Sequence, residues 1–206
     1  MSELVPTVFL VDDDTAVLKG LGRLLAAAGM QVAAFDSPKE FLERLDPTVP
    51  GCLVLDVAMP GLNGLELQQA LTAKGSELPI VFLTGQGDIP TSVRAMKRGA
   101  ADFLTKPVDD EALLAAIRSA FEENFALRKS HQARSVVEQR LATLTTRERE
   151  VLDRVVTGRL NKQIAAELGT VEKTIKVHRA RVMEKMGART LAELLSLAER
   201  AGIKIG

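Results

Sequence analysis

Asp12, Asp13, Asp56, Thr84 and Lys106 are the residues whose types, gathered in one crevice, do chemistry together. Three carboxylates held close repel one another and demand a cation, and an all-oxygen site with few protein ligands and room for water suits Mg²⁺. Cation charge with a lysine beside one carboxylate makes a place for a phosphoryl group. Transfer of that group depends on positioning and neutralisation more than on covalent chemistry. Asp56 is then the nucleophile and takes the phosphoryl group as an acyl phosphate. The Thr84 hydroxyl donates to one phosphoryl oxygen and Lys106 pairs with another. The plainer alternative is an acidic run that caps a helix and a lysine that makes a surface ion pair.

Each of these residues follows a short apolar run, and the runs define the elements that must position them. Thr7–Val11 reads as a buried strand ending in Asp12-Asp13-Asp14, with Asp14 as the cap of a helix closed by Gly29. Gln31–Phe35 is a second strand, followed by Ser37-Pro38-Lys39-Glu40, a capping box with Pro at the first helical position. Cys52–Asp56 is a third strand, broken at Met59-Pro60-Gly61 before a helix over 65–73. Pro79–Leu83 leads to Thr84 and a helix from about Pro90, and Ala101–Leu104 leads to Lys106-Pro107 and a helix starting near Asp109-Asp110. Five strands alternating with five helices predict a doubly wound parallel sheet. In the flavodoxin-like (βα)5 order the first and third strands are neighbours at the switch point, so the polar strand ends converge on one edge.

The segments Val11-Asp12-Asp13-Asp14, Leu55-Asp56-Val57-Ala58-Met59-Pro60-Gly61, Leu83-Thr84-Gly85 and Asp102-Phe103-Leu104-Thr105-Lys106-Pro107 resemble the signatures of bacterial response-regulator receiver domains. The resemblance covers about residues 4–123, with four separated motifs agreeing in order and spacing. It implies that Asp56 is the phosphoacceptor, that Asp13 and Asp56 bind Mg²⁺ directly, that Asp12 binds through water, and that the Ala58 carbonyl is a backbone ligand. It also implies a cis Lys106-Pro107 peptide, an aromatic switch at Phe103, and an influence of Ala58 and Gln86 on the lifetime of the phosphoryl group.

Between Val108 and Thr145 there is no Gly or Pro, so the last receiver helix is expected to run on as a semi-rigid connector. Leu113, Leu114, Ile117, Phe121 and Phe125 form its first apolar stripe, and Val136, Val137 and Leu141 a second contact patch. His131 in the polar stretch between them reads as a surface residue. Charge changes sign along the chain: residues 1–124 hold 10 Lys and Arg against 18 Asp and Glu, whereas residues 125–206 hold 17 against 9. Two modules with different partners are expected, the basic one for nucleic acid. The predicted domains are 1–124, a helical linker 125–141, and 142–206.

From Leu144 onward the signals are all helical. Capping boxes at Thr145–Glu148 and Thr190–Glu193, with Asn161 and Thr170 as further expected caps, mark out four helices, and the Gly169-Thr170 join is the tight turn of a helix-turn-helix. On the third of these helices Ile175, Val182 and Met186 share one face. Lys173, Lys176, Val177, Ala180 and Arg181 share another, where basic side chains meet bases or phosphates and Val177 meets a thymine methyl. His178 has no partner nearby to make it a metal ligand. The segments 144–152, Asn161-Lys162-Gln163-Ile164-Ala165 and Thr174-Ile175-Lys176-Val177-His178 resemble the LuxR-type helix-turn-helix. With a receiver in front, the chain is similar to the FixJ/NarL class of regulators and, through its connecting helix, to the FixJ branch. That resemblance implies a third helix in the major groove, with Thr174 among the contacts. It implies a last helix that pairs two DNA-binding domains, to which Leu191, Leu194, Leu195, Leu197 and Ala198 would contribute.

The expected function is a transcription regulator that a sensor histidine kinase phosphorylates on Asp56, that then forms a homodimer and binds promoter DNA, with RNA polymerase as a further partner. Two other readings compete. One is DNA binding independent of phosphorylation. The other is a phosphatase turning over an aspartyl phosphate, but in the haloacid dehalogenase pattern a second Asp stands two residues after the nucleophile, where this chain has Ala58. There is no Gly-x-x-x-x-Gly-Lys-Ser/Thr loop for a nucleotide. With no signal-like amino terminus, no apolar run near the roughly 18 residues of a membrane span, and a lone cysteine, Cys52, the expected location is the cytoplasm.

Overall fold

Along each central strand, alternate side chains fall into two different cores, as a two-residue period demands when both faces are covered. In the computed structural model, which describes residues 5–85 and 89–205, the strands are β1 (Thr7–Val11), β2 (Gln31–Phe35), β3 (Gly51–Asp56), β4 (Ile80–Thr84) and β5 (Asp102–Thr105). They form one parallel sheet in the order β2-β1-β3-β4-β5. The helices between them are α1 (Thr15–Ala27), α2 (Pro38–Arg44), α3 (Gly64–Ala73) and α4 (Ile89–Lys97), and α5 (Asp110–Ala142) follows β5. Val8, Leu10, Cys52, Val54, Val81 and Leu83 pack with Leu25 of α1 and with Leu113 and Ile117 of α5. Phe9, Val11, Leu53, Leu55 and Phe82 pack on the other face with Phe41 of α2 and with Leu67 and Leu71 of α3. Cys52 is a fully buried core residue whose thiol burial pushes up to about 12, so it stays protonated and inert.

The first unit, Met1–Arg128, and the second, Lys129–Gly206, divide within α5. In the second unit α6 (Thr146–Val156), α7 (Asn161–Glu167), α8 (Glu172–Met186) and α9 (Leu191–Arg200) enclose Val151, Leu152, Val155, Ile164, Ile175, Val182, Met186, Leu194 and Ala198. Among the described residues no helix is long and apolar enough to cross a membrane.

Several local expectations need correction. Phe125 does not extend the apolar stripe of α5; it is 69% exposed, and the polar Asn124 takes the buried place beside it. The helical period carries the buried stripe from Leu113 through Ile117 and Ala120 to 124, leaving 125 outside. Val136 is likewise exposed, while Val137 and Leu141 join the core of the second unit. Asn161 is the first residue of α7, not its cap. Leu160 occupies the cap and its N–H donates to Gln163 Oε1 at 2.8 Å, leaving Asn161 Oδ1 to accept from Arg179 at 3.2 Å. Val171, not Thr170, stands at the cap of α8 and makes no side-chain cap bond. At Ser37 and Thr190 the boxes are half made. Glu40 turns to Arg44 at 2.7 Å, and Glu193 accepts from the Arg189 N–H at 2.7 Å.

Candidate functional site

β1 and β3 lie side by side with Val11 opposite Leu55, so the residues that follow them, Asp12 and Asp56, come together at the carboxyl edge of the sheet. Both are nearly sealed from solvent, at 3% and 4% exposed. Asp12 is fixed by the Asp14 N–H, which donates to its Oδ1 at 2.9 Å, and Asp14 itself caps α1 by accepting from the Ala16 and Val17 N–H groups. Asp56 is fixed by the N–H of Ala58, which donates to Oδ2 at 2.6 Å. The Lys106 ammonium stands between the two carboxylates, 2.5 Å from Asp12 Oδ2 and 2.6 Å from Asp56 Oδ1. The backbone N–H of Lys106 donates to the Thr84 carbonyl at 2.6 Å, which brings the residue to this edge, and the following Lys106-Pro107 bond is cis.

The electrostatics follow from this arrangement. Burial raises the Asp12 carboxyl above its ordinary range, with the Lys106 and Asp14 hydrogen bonds working against the rise and the Asp56 charge adding to it. Burial also works against the Lys106 charge, but its hydrogen bonds to Asp12 and Asp56 hold the ammonium above its usual range. One ammonium shared by two buried carboxylates leaves a negative charge uncompensated. A pair already close enough to share one cation fits a divalent ion, and Mg²⁺ commonly keeps several waters beside one or two carboxylates. Asp13 lies beside Asp12 but is exposed. Among the described residues no three His, Cys, Asp or Glu side chains converge closely enough to hold an ion by themselves, so water and backbone oxygen must supply the remaining ligands.

Thr84 ends β4 and is 4% exposed, next to Asp56 on the neighbouring strand. Phe103 on β5 is half-buried against the core that holds Phe9, Leu53 and Phe82, its ring 6.1 Å from that of Phe82. Ala58 is exposed. Gln86 lies outside the described residues.

Three features of this unit are not suggested by residue type or spacing. α3 starts hard against Asp56: a Cβ on Gly64 would collide with the carbonyl oxygen of Asp56, while the Gly64 N–H donates to the Val57 carbonyl at 3.1 Å. At the other end of β3, buried Asn124 accepts from the Gly51 N–H at 3.1 Å. Arg128 then donates to Asn124 Oδ1 at 3.1 Å and to the Pro47, Thr48 and Val49 carbonyls at 2.8 Å each, closing the loop before β3.

In the second unit the side chains of interest lie on α8. Ile175, Val182 and Met186 are completely buried. Lys173, Lys176, Val177, Ala180 and Arg181 are exposed and Thr174 is half-buried, so one face of the helix is left free within this unit. Lys176 is 3.4 Å from Glu172 one turn back, a pair exposed enough to exchange freely for phosphate. The backbone of α8 is held from behind. Lys185 reaches Glu148 at 2.6 Å and the Thr143 carbonyl at 3.0 Å, and Arg140 donates to the Met186 carbonyl at 2.8 Å. Arg147 closes the turn before α8 by donating to the Leu168 carbonyl at 2.5 Å, and Gly169 takes the left-handed conformation there, φ 62°. Glu148 is buried at the third position of a capping box with Thr145. Its carboxyl is held down to about 2, first by the Lys185 hydrogen bond and then by the Thr145 N–H. The capping box was visible in the sequence, but its second use as an anchor for Lys185 was not. Of the expected contact residues on α9, Leu194 and Ala198 are buried and Leu195 and Leu197 partly buried in the unit's own core, leaving Leu191 41% exposed.

Comparison with known proteins matches both units. Residues 8–118 match the response regulator receiver domain family, and residues 142–198 match the luxR family of bacterial regulatory proteins. Nodulation protein W of Bradyrhizobium diazoefficiens is 45% identical over 196 residues, covering 95% of this chain and 86% of that protein. The transcriptional regulatory protein FixJ of Azorhizobium caulinodans is 45% identical over 203 residues, covering 98% and 96%. Among solved structures, the response regulator StyR superposes with a TM-score of 0.86 at 49% identity, over 95% of this chain and 99% of that one. Full-length FixJ from B. japonicum gives a TM-score of 0.58 at 44% identity, over 97% and 98%.

Proposed function

We propose that this chain, which belongs to the two-component response regulators with a LuxR-type DNA-binding domain and is a transcription regulator, is switched by an aspartyl phosphate on Asp56. The single observation that carries the reading is the Asp12–Lys106–Asp56 cluster, buried and pinned at the carboxyl edge of the sheet. Asp56 is the nucleophile: a carboxylate oxygen attacks phosphorus, the bond from phosphorus to the donor breaks, and the donor leaves with that electron pair. Lys106 neutralises a phosphoryl oxygen, and the Thr84 hydroxyl donates to another. Asp12, Asp13 and Asp56, with the Ala58 carbonyl, are the residues that would hold Mg²⁺, and when bound the ion supplies further neutralisation of the phosphoryl oxygens.

The donor is the phosphohistidine of a sensor kinase. Occupation of the Thr84 hydroxyl draws that residue inward, and Phe103 on the adjacent strand turns with it. The outcome is a homodimer that presents two α8 helices to DNA half-sites about one helical turn apart. Lys173, Thr174, Lys176, Val177, Ala180 and Arg181 make the DNA contacts, and RNA polymerase is the partner at the promoter. Turnover is limited to slow self-catalysed loss of the phosphoryl group, since Ala58 offers no acid where a phosphatase of the dehalogenase type needs one.

The test is intact-mass measurement after incubation with acetyl phosphate, with and without Mg²⁺, beside Asp56→Asn. A single phosphoryl adduct that requires the metal and is absent from the variant is expected. An adduct of equal yield on Asp56→Asn would overturn the assignment.

A further inference from the structure

A cavity of about 210 Å³ lies at the entry to β4, the end of that strand opposite Thr84. It is walled by the end of α3, residues 76–80, Arg98-Gly99, and Glu123 and Leu127 of α5, all within the first unit. We propose that this cavity binds a short aliphatic amine or guanidine.

The chemistry follows from which hydrogen-bonding groups of the wall are already used. Three of its side-chain donors are spent inward. Gln68 Nε2 donates to the Ala95 and Arg98 carbonyls at 3.3 and 3.4 Å. The Thr72 hydroxyl donates to the Gln68 carbonyl at 2.9 Å. The Arg98 guanidinium is taken by the carbonyl oxygen of Gln69, 3.0 Å from both terminal nitrogens once that amide is turned to satisfy both groups. Gln69 does not line the cavity.

What remains is acceptor. Gln68 lines the cavity at 2% exposure, and its Oε1 has no hydrogen-bond partner, a cost that a ligand N–H removes. Glu123 on the rim is exposed and has no ion-pair partner among the described residues. An anion is repelled by the Glu123 carboxylate on the rim and meets only the Ser76 hydroxyl beyond the donors just named, and a neutral apolar molecule leaves Gln68 Oε1 unpaired. A cation bearing N–H groups satisfies Gln68 and pairs with Glu123, while Leu71 and Leu127 offer apolar surface to a short methylene chain. The proposal is separate from phosphorylation, since no wall residue belongs to the Asp56 cluster. It nonetheless places the ligand against α5 directly beside Asn124 and Arg128.

Isothermal titration of the full chain with agmatine and with 1,4-diaminobutane tests this. Saturable one-site binding is expected, weakened about tenfold or more in Glu123→Gln, an exposed position that leaves the fold untouched. Gln68→Leu, with its fold checked by circular dichroism, is expected to weaken binding as well. Glu111→Gln, an exposed carboxylate elsewhere on α5, is expected to bind as the parent does. Absence of saturable heat in the parent chain, or equal weakening by Glu111→Gln, would overturn the proposal; the first outcome leaves water as the occupant and the second leaves only general attraction to an acidic surface. Phosphorylation of Asp56 is measured separately and bears on neither outcome.

Discussion

The carboxyl edge of the sheet and the exposed face of α8 put side chains to use in opposite ways. At the sheet edge, Asp12, Asp56 and Thr84 are buried, and the two carboxylates are locked by neighbouring N–H groups and by Lys106. On α8, Lys173, Lys176 and Arg181 are in solvent, and precision resides in the backbone, held by Arg140, Lys185 and a buried apolar face. A group that must meet a small reactive phosphoryl group needs its own geometry fixed. A group that must meet a long charged surface needs only its helix fixed, because each long side chain finds its own phosphate or base.

This contrast breaks most severely if the support behind α8 is removed. Leu152→Ala, in a fully buried position of the second unit's core, is expected to cost about 2–5 kcal/mol of stability and to weaken promoter binding with it. Urea denaturation of the second unit checks the first effect, and gel-shift titration the second; a denaturation midpoint matching the parent's would contradict the packing described. Lys176→Ala sharpens the contrast. Promoter affinity is expected to fall by about 1–3 kcal/mol if Lys176 reads a base, with the melting temperature unchanged because the side chain is exposed. Undiminished affinity would remove Lys176 from the interface.

The smallest effect concerns acid. Glu148 has its folded carboxyl held at about 2 against an ordinary 4.5, so its contribution to stability is fully present above about 4.5 and is lost as pH falls toward about 2. Melting temperatures followed from pH 5 to 2 are expected to fall more steeply for the parent than for Glu148→Gln. Parallel curves would mean that the Lys185 contact contributes nothing to stability.

Much of this was readable in advance because it is local. A short apolar run, a Thr-x-x-Glu box and a carboxylate at a strand end are each complete within a few residues, and β1, β3 and α6 stand as these signals predict. The convergence of Asp12, Asp56 and Lys106 was readable one step further, because a parallel doubly wound sheet puts all strand ends on one edge. What stayed hidden depends on partners far along the chain. Arg128 is a polar residue in a polar stretch until the loop at 47–49 offers it three carbonyls, and Asn124 is an interruption of an apolar stripe until Gly51 needs an acceptor. The misplaced caps at Asn161 and Thr170 have a smaller cause, a one-residue slip at helix starts where Gln163 and the backbone supply what the expected side chain did not.

The contact between Gly64 and the Asp56 carbonyl carries a consequence for how this edge of the sheet can move. The Asp56 peptide has the first turn of α3 pressed against it with no room for even a methyl group, and the seven residues between them are closed by the Gly64 to Val57 hydrogen bond. On the proposed phosphorylation of Asp56, that backbone is expected to act as an anvil, leaving the displacement to the strands and loops on its other side, those of Thr84 and Phe103.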